Sequence, residues 1–519
     1  MGLPPWQNPL FSLPKKNLKP MRALFFIALI AAFFAACENN NSQTPANNTT
    51  TASTAPVDYG PALDIEEYKK QCETPEIKVA VDGLNGGVAY LIGVFADQNF
   101  RADSAIINNK GEFVFEEDEP YAPGLYYIYL PNRSSIQIIV DKDQKFSLHT
   151  SLVNLSGNLK VEGSLDNELF VQVSKFEEQM RPRFSQVAAE MRKYQPGTPD
   201  YNKWEQEQYK LIDERMAYLK KIADEHPESF FVKFKMAGQN PDIRNIKKPD
   251  GTLDTVRYAY LYRTKFWDNV DFSDTRLMYT PVLANKLKRY ITQLTPQHPD
   301  SINAAANFLV DKTLGNPEIF KYFANWIVLN YDPKESTLMD AQAVFVNMIQ
   351  RYFTYDRAFW SDSAEVHAIQ LRAYEMAASL VGKKGPNVTA PGPDGKTYSI
   401  YDIKDPYIIV YMYNPDCEHC AVETPKLVRW YQEWHPKGVE VYAIAVDTDD
   451  AKWKAYIKKN NMPWPYNVFD PTNKSIYAKY YVDVTPEIYV LNPERIIIGK
   501  NLKVDQIATI INRDKQKRK

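Results

Sequence analysis

The stretch Tyr407-Ile408-Ile409-Val410-Tyr411-Met412-Tyr413 runs straight into Asn414-Pro415-Asp416-Cys417-Glu418-His419-Cys420. The first part is nearly all apolar, as in a central strand buried on both faces of a sheet. An amphipathic helix continues from the cysteines to about Trp434, so they stand at a strand-to-helix junction. Glu440–Val446, Glu487–Leu491 and Arg495–Lys500 read as further strands. From residue 386 on, the order strand, helix, strand, helix, strand, strand, helix predicts an α/β domain.

Two cysteines separated by two residues at a helix start can close a disulfide within one turn. The first sulfur faces unpaired N–H groups and the positive end of the helix dipole, which favour the Cys417 thiolate. His419, when protonated, adds positive charge beside it, and a thiolate of lowered pKa makes the disulfide more oxidising. Half of a zinc site is the competing reading, but no second Cys-x-x-Cys and no His pair completes one. No metal and no cofactor is therefore called for. Downstream, Val484-Thr485-Pro486-Glu487 enters the strand Ile488–Leu491, and a proline at a strand entry cannot donate a ladder hydrogen bond.

Upstream, three further segments are legible. Lys15, Lys16, Lys19 and Arg22 precede the apolar run Ala23–Ala36, with Ala35 and Ala36 directly before Cys37. The run is shorter than the ~17–25 residues of a spanning helix and fits the core of an export signal. It resembles a bacterial lipobox, which makes Cys37 the lipidated first residue of the mature chain. Residues before Met21 are Pro-rich for a signal, so Met1 and Met21 are both candidate starts. The polar stretch 38–60 reads as a flexible tether. Between 61 and 165, Ile77–Val81, Val88–Phe95, Glu112–Phe115, Leu125–Leu130 and Ile136–Val140 alternate with turn signals, which predicts an antiparallel β-sandwich-like domain. Region 166–385 is helical in pattern, with candidates near 168–193, 276–293, 302–312, 315–330, 337–355 and 361–381. Tyr209, Ile212, Met216, Leu219 and Ala223 form one apolar stripe, read as bundle core. His226, His298 and His367 are scattered without ligand spacing. Gly382-Lys383-Lys384-Gly385-Pro386-Asn387 reads as the linker to the last domain, 386–519.

Composition agrees with a multidomain globular chain. The 519 residues correspond to about three domains. Lys and Arg number 62 against 64 Asp and Glu, so there is no basic field to hold nucleic acid. Four cysteines are too few for a disulfide scaffold, and Cys72 has no obvious partner.

Residues 386 to 513 resemble the thioredoxin-like domain of TlpA/ResA-type thiol-disulfide oxidoreductases. The resemblance is carried by Ala390-Pro391, Asp394-Gly395-Lys396, the Asn414–Cys420 motif, Glu423-Thr424-Pro425-Lys426-Leu427, Met462-Pro463-Trp464-Pro465 and Thr485-Pro486. The order of leader, β domain, helical region and thioredoxin domain is similar to envelope lipoproteins of Bacteroidota. It implies Cys417 as attacking thiol, Cys420 as resolving thiol and Pro486 as a cis proline facing the pair. It also implies Thr485 as a backbone partner for an incoming polypeptide and Glu423 as an acidic residue tuning the site. The implied activity is disulfide exchange with envelope proteins, more as reductant, supplied by a membrane thiol donor. The implied location is the cell envelope, lipid-anchored, on the periplasmic side or at the outer membrane. Two positions depart from the pattern: Asp416 stands where Trp is usual, and Tyr411 where thioredoxin has a buried acid. A non-catalytic envelope scaffold is the rival reading. A peroxidase is disfavoured because Asn414 occupies the position of the peroxiredoxin Thr.

Overall fold

A computed structural model describes residues 60–244, 246–250, 252–473, 479–482 and 484–518. The expected leader, Cys37 and the tether up to residue 59 lie outside the described residues. Among the described residues no helix is long and apolar enough to cross a membrane.

A short helix, α1 (Ile65–Lys69), precedes eight strands: β1 (Glu76–Asp82), β2 (Val88–Phe95), β3 (Gln98–Ile106), β4 (Glu112–Glu116), β5 (Gly124–Tyr129), β6 (Ser135–Val140), β7 (Lys145–Ser151) and β8 (Lys160–Glu162). They form two four-stranded sheets, β4-β1-β7-β8 and β3-β2-β5-β6. Inward residues alternate, Ile77, Val79 and Val81 from one sheet meeting Leu91, Ile128 and Ile138 of the other. One expectation is corrected: the sandwich is not antiparallel throughout, since β1 and β7 run parallel with Val79 opposite Leu148. The chain reaches β7 from β6 of the other sheet, so no hairpin with β1 dictates the direction of β7. Strands β3, β7 and β8 were absent from the sequence pattern. β3 is mostly polar (QNFRADSAI) and is held by pairing along the whole of β2.

Helices follow as α2 (Leu165–Met191), α3 (Pro199–Glu225), α4 (Phe230–Ala237), α5 (Thr255–Lys265), α6 (Val282–Arg289), α7 (Pro299–Asp311), α8 (Pro317–Asn330), α9 (Ala341–Tyr352) and α10 (Ser363–Ala377). The expected helix 276–293 divides into a 3-10 turn, α6 and a π-turn, with Pro281 ahead of α6. α9 starts later than expected because Asp340 adopts a left-handed conformation, φ 59°. On α3 the buried line is Leu211, Leu219 and Ile222, with Met216 and Ala223 beside it. Tyr209 instead lies under the Arg244 guanidinium, 4.9 Å from the ring centre.

The last region opens with a hairpin, β9 (Thr389–Pro391) and β10 (Thr397–Ser399). Then come β11 (Tyr407–Tyr413), α11 (Glu418–Trp434), β12 (Val439–Ala445), α12 (Asp450–Asn460), β13 (Tyr466–Phe469), β14 (Glu487–Leu491), β15 (Ile497–Gly499) and α13 (Val504–Lys517). The sheet order is β13-β12-β11-β14-β15, with β11, β12 and β13 parallel and β14 antiparallel to its neighbours. β11 is buried along its whole length. Its odd-numbered residues pack with Leu427, Tyr456 and Ile507 of the three helices, its even-numbered ones with the hairpin side. This is the thioredoxin-like α/β fold. β13 is an addition to the expected strands. The expected linker is partly structured: Gly382 and Gly385 donate to Ile497 and Arg495, beside β15.

Candidate active site

The chain turns sharply after β11. Asn414 shapes the turn by accepting from the Asp416 N–H through Oδ1 at 2.8 Å, and its amide donates to the Asp447 carbonyl at 3.2 Å. Cys417 then stands as the N-cap of α11, and its sulfur accepts the Cys420 N–H at 3.4 Å. The same thiol donates to the Thr485 carbonyl at 3.1 Å, and the Thr485–Pro486 peptide bond is cis. Cys417 is partly exposed, whereas Cys420 is fully buried, and both are free thiols. Cys417, Cys420, Thr485 and Pro486 thus come together, although the last two are far along the chain.

The two sulfurs differ electrostatically. Burial pushes the Cys417 thiol up, but hydrogen bonds with the side chains of Thr485 and Cys420 and from the backbone N–H groups of Cys420 and His419 more than offset it, leaving its pKa below an ordinary thiol's. Cys420 is pushed up to about 12, first by burial and then by hydrogen bonding with Cys417. One sulfur is therefore prepared as a nucleophile and the other is held protonated.

The remaining expected site residues are placed differently. The His419 side chain is exposed on the first turn of α11, and only its backbone N–H bears on Cys417. The Glu423 carboxylate accepts from Lys426 Nζ at 2.7 Å and from the Val504 N–H at 3.3 Å. Among the described residues it bonds to neither sulfur, being drawn instead to a cation and the N-terminus of α13. Asp416 is matched by Lys452 Nζ at 2.6 Å, which offsets the negative charge next to Cys417.

In place of a buried acid, three hydroxyls lie behind Cys420. Tyr411 Oη meets Thr424 Oγ1 at 2.7 Å, and Thr424 Oγ1 meets Tyr456 Oη at 2.8 Å. The Tyr411, Tyr413 and Tyr456 rings stack in sequence, with centroids 5.4 and 5.1 Å apart. Tyr456 and Lys452 were not singled out from the sequence, and Thr424 stood only within the Glu423–Leu427 motif, with no role given to it. Thr424 and Tyr456 occupy ordinary helix positions, and only the fourth-residue spacing of Thr424 from Cys420 hinted at a shared face. Val422 and Val484 leave apolar surface exposed, 57% and 47%. Cys72 sits apart after α1, its thiol donating to the Tyr68 carbonyl at 3.5 Å and pushed up to about 11 by burial and then by Asp141. Among the described residues no group of His, Cys, Asp and Glu is arranged to hold a metal ion.

A parallel-centred sheet with paired thiols at a strand-to-helix turn, opposite a cis proline, defines the thioredoxin-like class of thiol-disulfide oxidoreductases. Residues 381–507 match the model of the AhpC/TSA family, and this part of the chain is a thioredoxin-like domain of that type. Residues 76–170 match a domain of unknown function, DUF4369. Relatives include a thiol-disulfide oxidoreductase ResA of Bacillus cereus, 23% identical over 120 residues, covering 23% of this chain and 68% of that protein. ResA of Bacillus subtilis is 27% identical over 123 residues, covering 24% of this chain and 65% of that protein. The chain thus spans about two thirds of these relatives' length. Similar solved structures include a thioredoxin-like protein from Bacteroides caccae, 18% identical, TM-score 0.43, covering 53% of this chain and 99% of that one. A domain of a possible thiol-disulfide isomerase from Cytophaga hutchinsonii is 30% identical, TM-score 0.26, covering 27% and 97%.

Proposed function

We propose that this protein exchanges disulfides with envelope proteins through Cys417 and Cys420, as a reductant, from a lipid anchor at Cys37. The observation that carries the reading is the asymmetry of the pair: a partly exposed sulfur favoured as thiolate, beside a buried one held as thiol. The Cys417 thiolate attacks a client disulfide, the client S–S bond breaks, and the departing client sulfur takes a proton. Cys420 then gives up its proton and attacks the Cys417 sulfur. The mixed disulfide breaks, the second client sulfur leaves protonated, and an internal disulfide remains. Two electrons and two protons pass to the client, and a membrane thiol donor restores the pair. The reducing direction is taken from the resemblance to TlpA/ResA-type proteins, since a stabilised Cys417 thiolate by itself favours the dithiol form. The carbonyl and N–H of Thr485 offer the client backbone a strand-like partner.

The test is a Cys420→Ser variant expressed in the native envelope. It is expected to accumulate mixed disulfides that run slowly on non-reducing gels and vanish with dithiothreitol. Their persistence when Cys417 is also replaced by Ser, or their absence from the single variant, would leave only a scaffold role. The anchor is tested separately with labelled palmitate: label is expected on the parent and lost in Cys37→Ala.

A further inference from the structure

We infer that the helical region is a working part of the thiol site, with Arg372 and Ser379 as positioning residues for the segment that presents Thr485 to Cys417. The inference rests on the thiol–disulfide reading above and concerns how its geometry is held.

Thr485 and Pro486 lie between Tyr481 and Tyr489, and both tyrosines are tied to the helical side. The Ser379 hydroxyl accepts the Tyr481 N–H at 3.4 Å and meets the Tyr489 hydroxyl at 3.3 Å. The Tyr489 hydroxyl in turn donates to the Tyr481 carbonyl at 3.1 Å. With Tyr489 donating there, Ser379 is the donor to Tyr489, and the three bonds close a ring. Ser379 and Tyr489 are fully buried, so water does not compete for these bonds. Arg372 of α10 adds a donor from Nε to the Tyr481 hydroxyl at 3.1 Å. Its guanidinium is oriented beforehand, 4.8 Å over the Phe345 ring and 3.7 Å from Asp332. The carbonyl side of Ser379 is tied as well, since Lys500 Nζ donates to it at 2.9 Å while lying 3.9 Å from Asp340.

β14 does not need these bonds to stay in its sheet, because β11 and β15 already flank it. What they constrain is the stretch before it, whose Thr485 carbonyl meets the Cys417 sulfur. That carbonyl only accepts from the thiol, whereas the side chain of the same Thr485 hydrogen-bonds the sulfur and is among the causes of its lowered pKa. Loosening Tyr481 therefore frees the Thr485 side chain, whose hydrogen bond favours the thiolate.

The experiment measures iodoacetamide alkylation of Cys417 against pH in the full-length reduced protein, read by mass spectrometry of the peptide. Arg372→Gln and Tyr481→Phe are expected to slow alkylation at pH 7 roughly threefold and to move its midpoint upward. Arg372→Lys, which keeps a donor, is expected to return the rate toward the parent's. Tyr481→Phe removes one oxygen and keeps the ring, so it decides the matter if Arg372→Gln does not fold. Profiles that superimpose on the parent's would overturn the inference while the thiol reading stands. A parent whose Cys417 reacts no faster than Cys420 would overturn the thiol reading, and the inference with it.

Discussion

A thiolate accepts hydrogen bonds from a helix start far better than a thiol does, so placing Cys417 as the cap of α11 ties its protonation to the fold. The sign follows. A lowered pKa keeps the thiolate populated at lower pH, so Cys417 alkylation is expected to have its midpoint below the ~8.5 of a free thiol. Cys420, pushed up to about 12, is expected to stay unmodified until strongly alkaline pH. Peptide mapping across a pH series distinguishes the two, and equal midpoints would contradict the asymmetry. The cysteine pair and Thr485-Pro486 were legible because their signature lies in spacing and residue type. Thr424 and Tyr456 were not, because a hydroxyl on a helix carries no mark of the partner it meets. Glu423 shows the converse: its spacing singled it out, and the neighbouring Lys426 and α13 redirected it.

Among the secondary-structure elements, the edges were the hardest to read. β6 is an edge strand, and Asn167 of α2 completes it: its amide donates to the Ile139 carbonyl at 2.6 Å and its Oδ1 accepts the Ile139 N–H at 2.8 Å. Asn167 is buried, so Asn167→Ala strands both backbone groups without water. The expected loss is about 2–4 kcal/mol of unfolding free energy, from about 1–3 for each unpaired group with partial relaxation. Urea titration reads it, and a change under ~0.5 kcal/mol would mean the edge is satisfied otherwise. Alternating strands such as β6 declared themselves through period two. β3 did not, since its polar residues depend on pairing with β2 rather than on a pattern of their own.

Across the whole molecule, buried ion pairs join the regions. Arg276 pairs with Asp274 at 2.6 Å and Asp141 of the β region at 3.2 Å, and it donates to the Tyr68 hydroxyl at 2.8 Å. Its side chain is 4% exposed, which places these charges beyond the reach of solvent screening. Arg276→Met is expected to cost about 3–5 kcal/mol, because Asp141 and Asp274 lose their shared cation in the interior. Thermal unfolding checks this, and a melting temperature equal to the parent's would show that the carboxylates find another partner. Lys500 plays a similar part between the thioredoxin-like domain and α9–α10.

Periodicity, turn residues and cysteine spacing act within a few positions, and from them the α/β class, the helical middle and the thiol pair could be read directly. Contacts across long separations had no such signature. Thr485 reaches Cys417 over 68 positions, Tyr481 reaches Arg372 over 109, and Tyr68 reaches Arg276 over 208. Which polar groups meet at those separations depends on how sheets and helices pack. Packing brought a hydroxyl chain behind Cys420 and turned Glu423 away from the sulfurs.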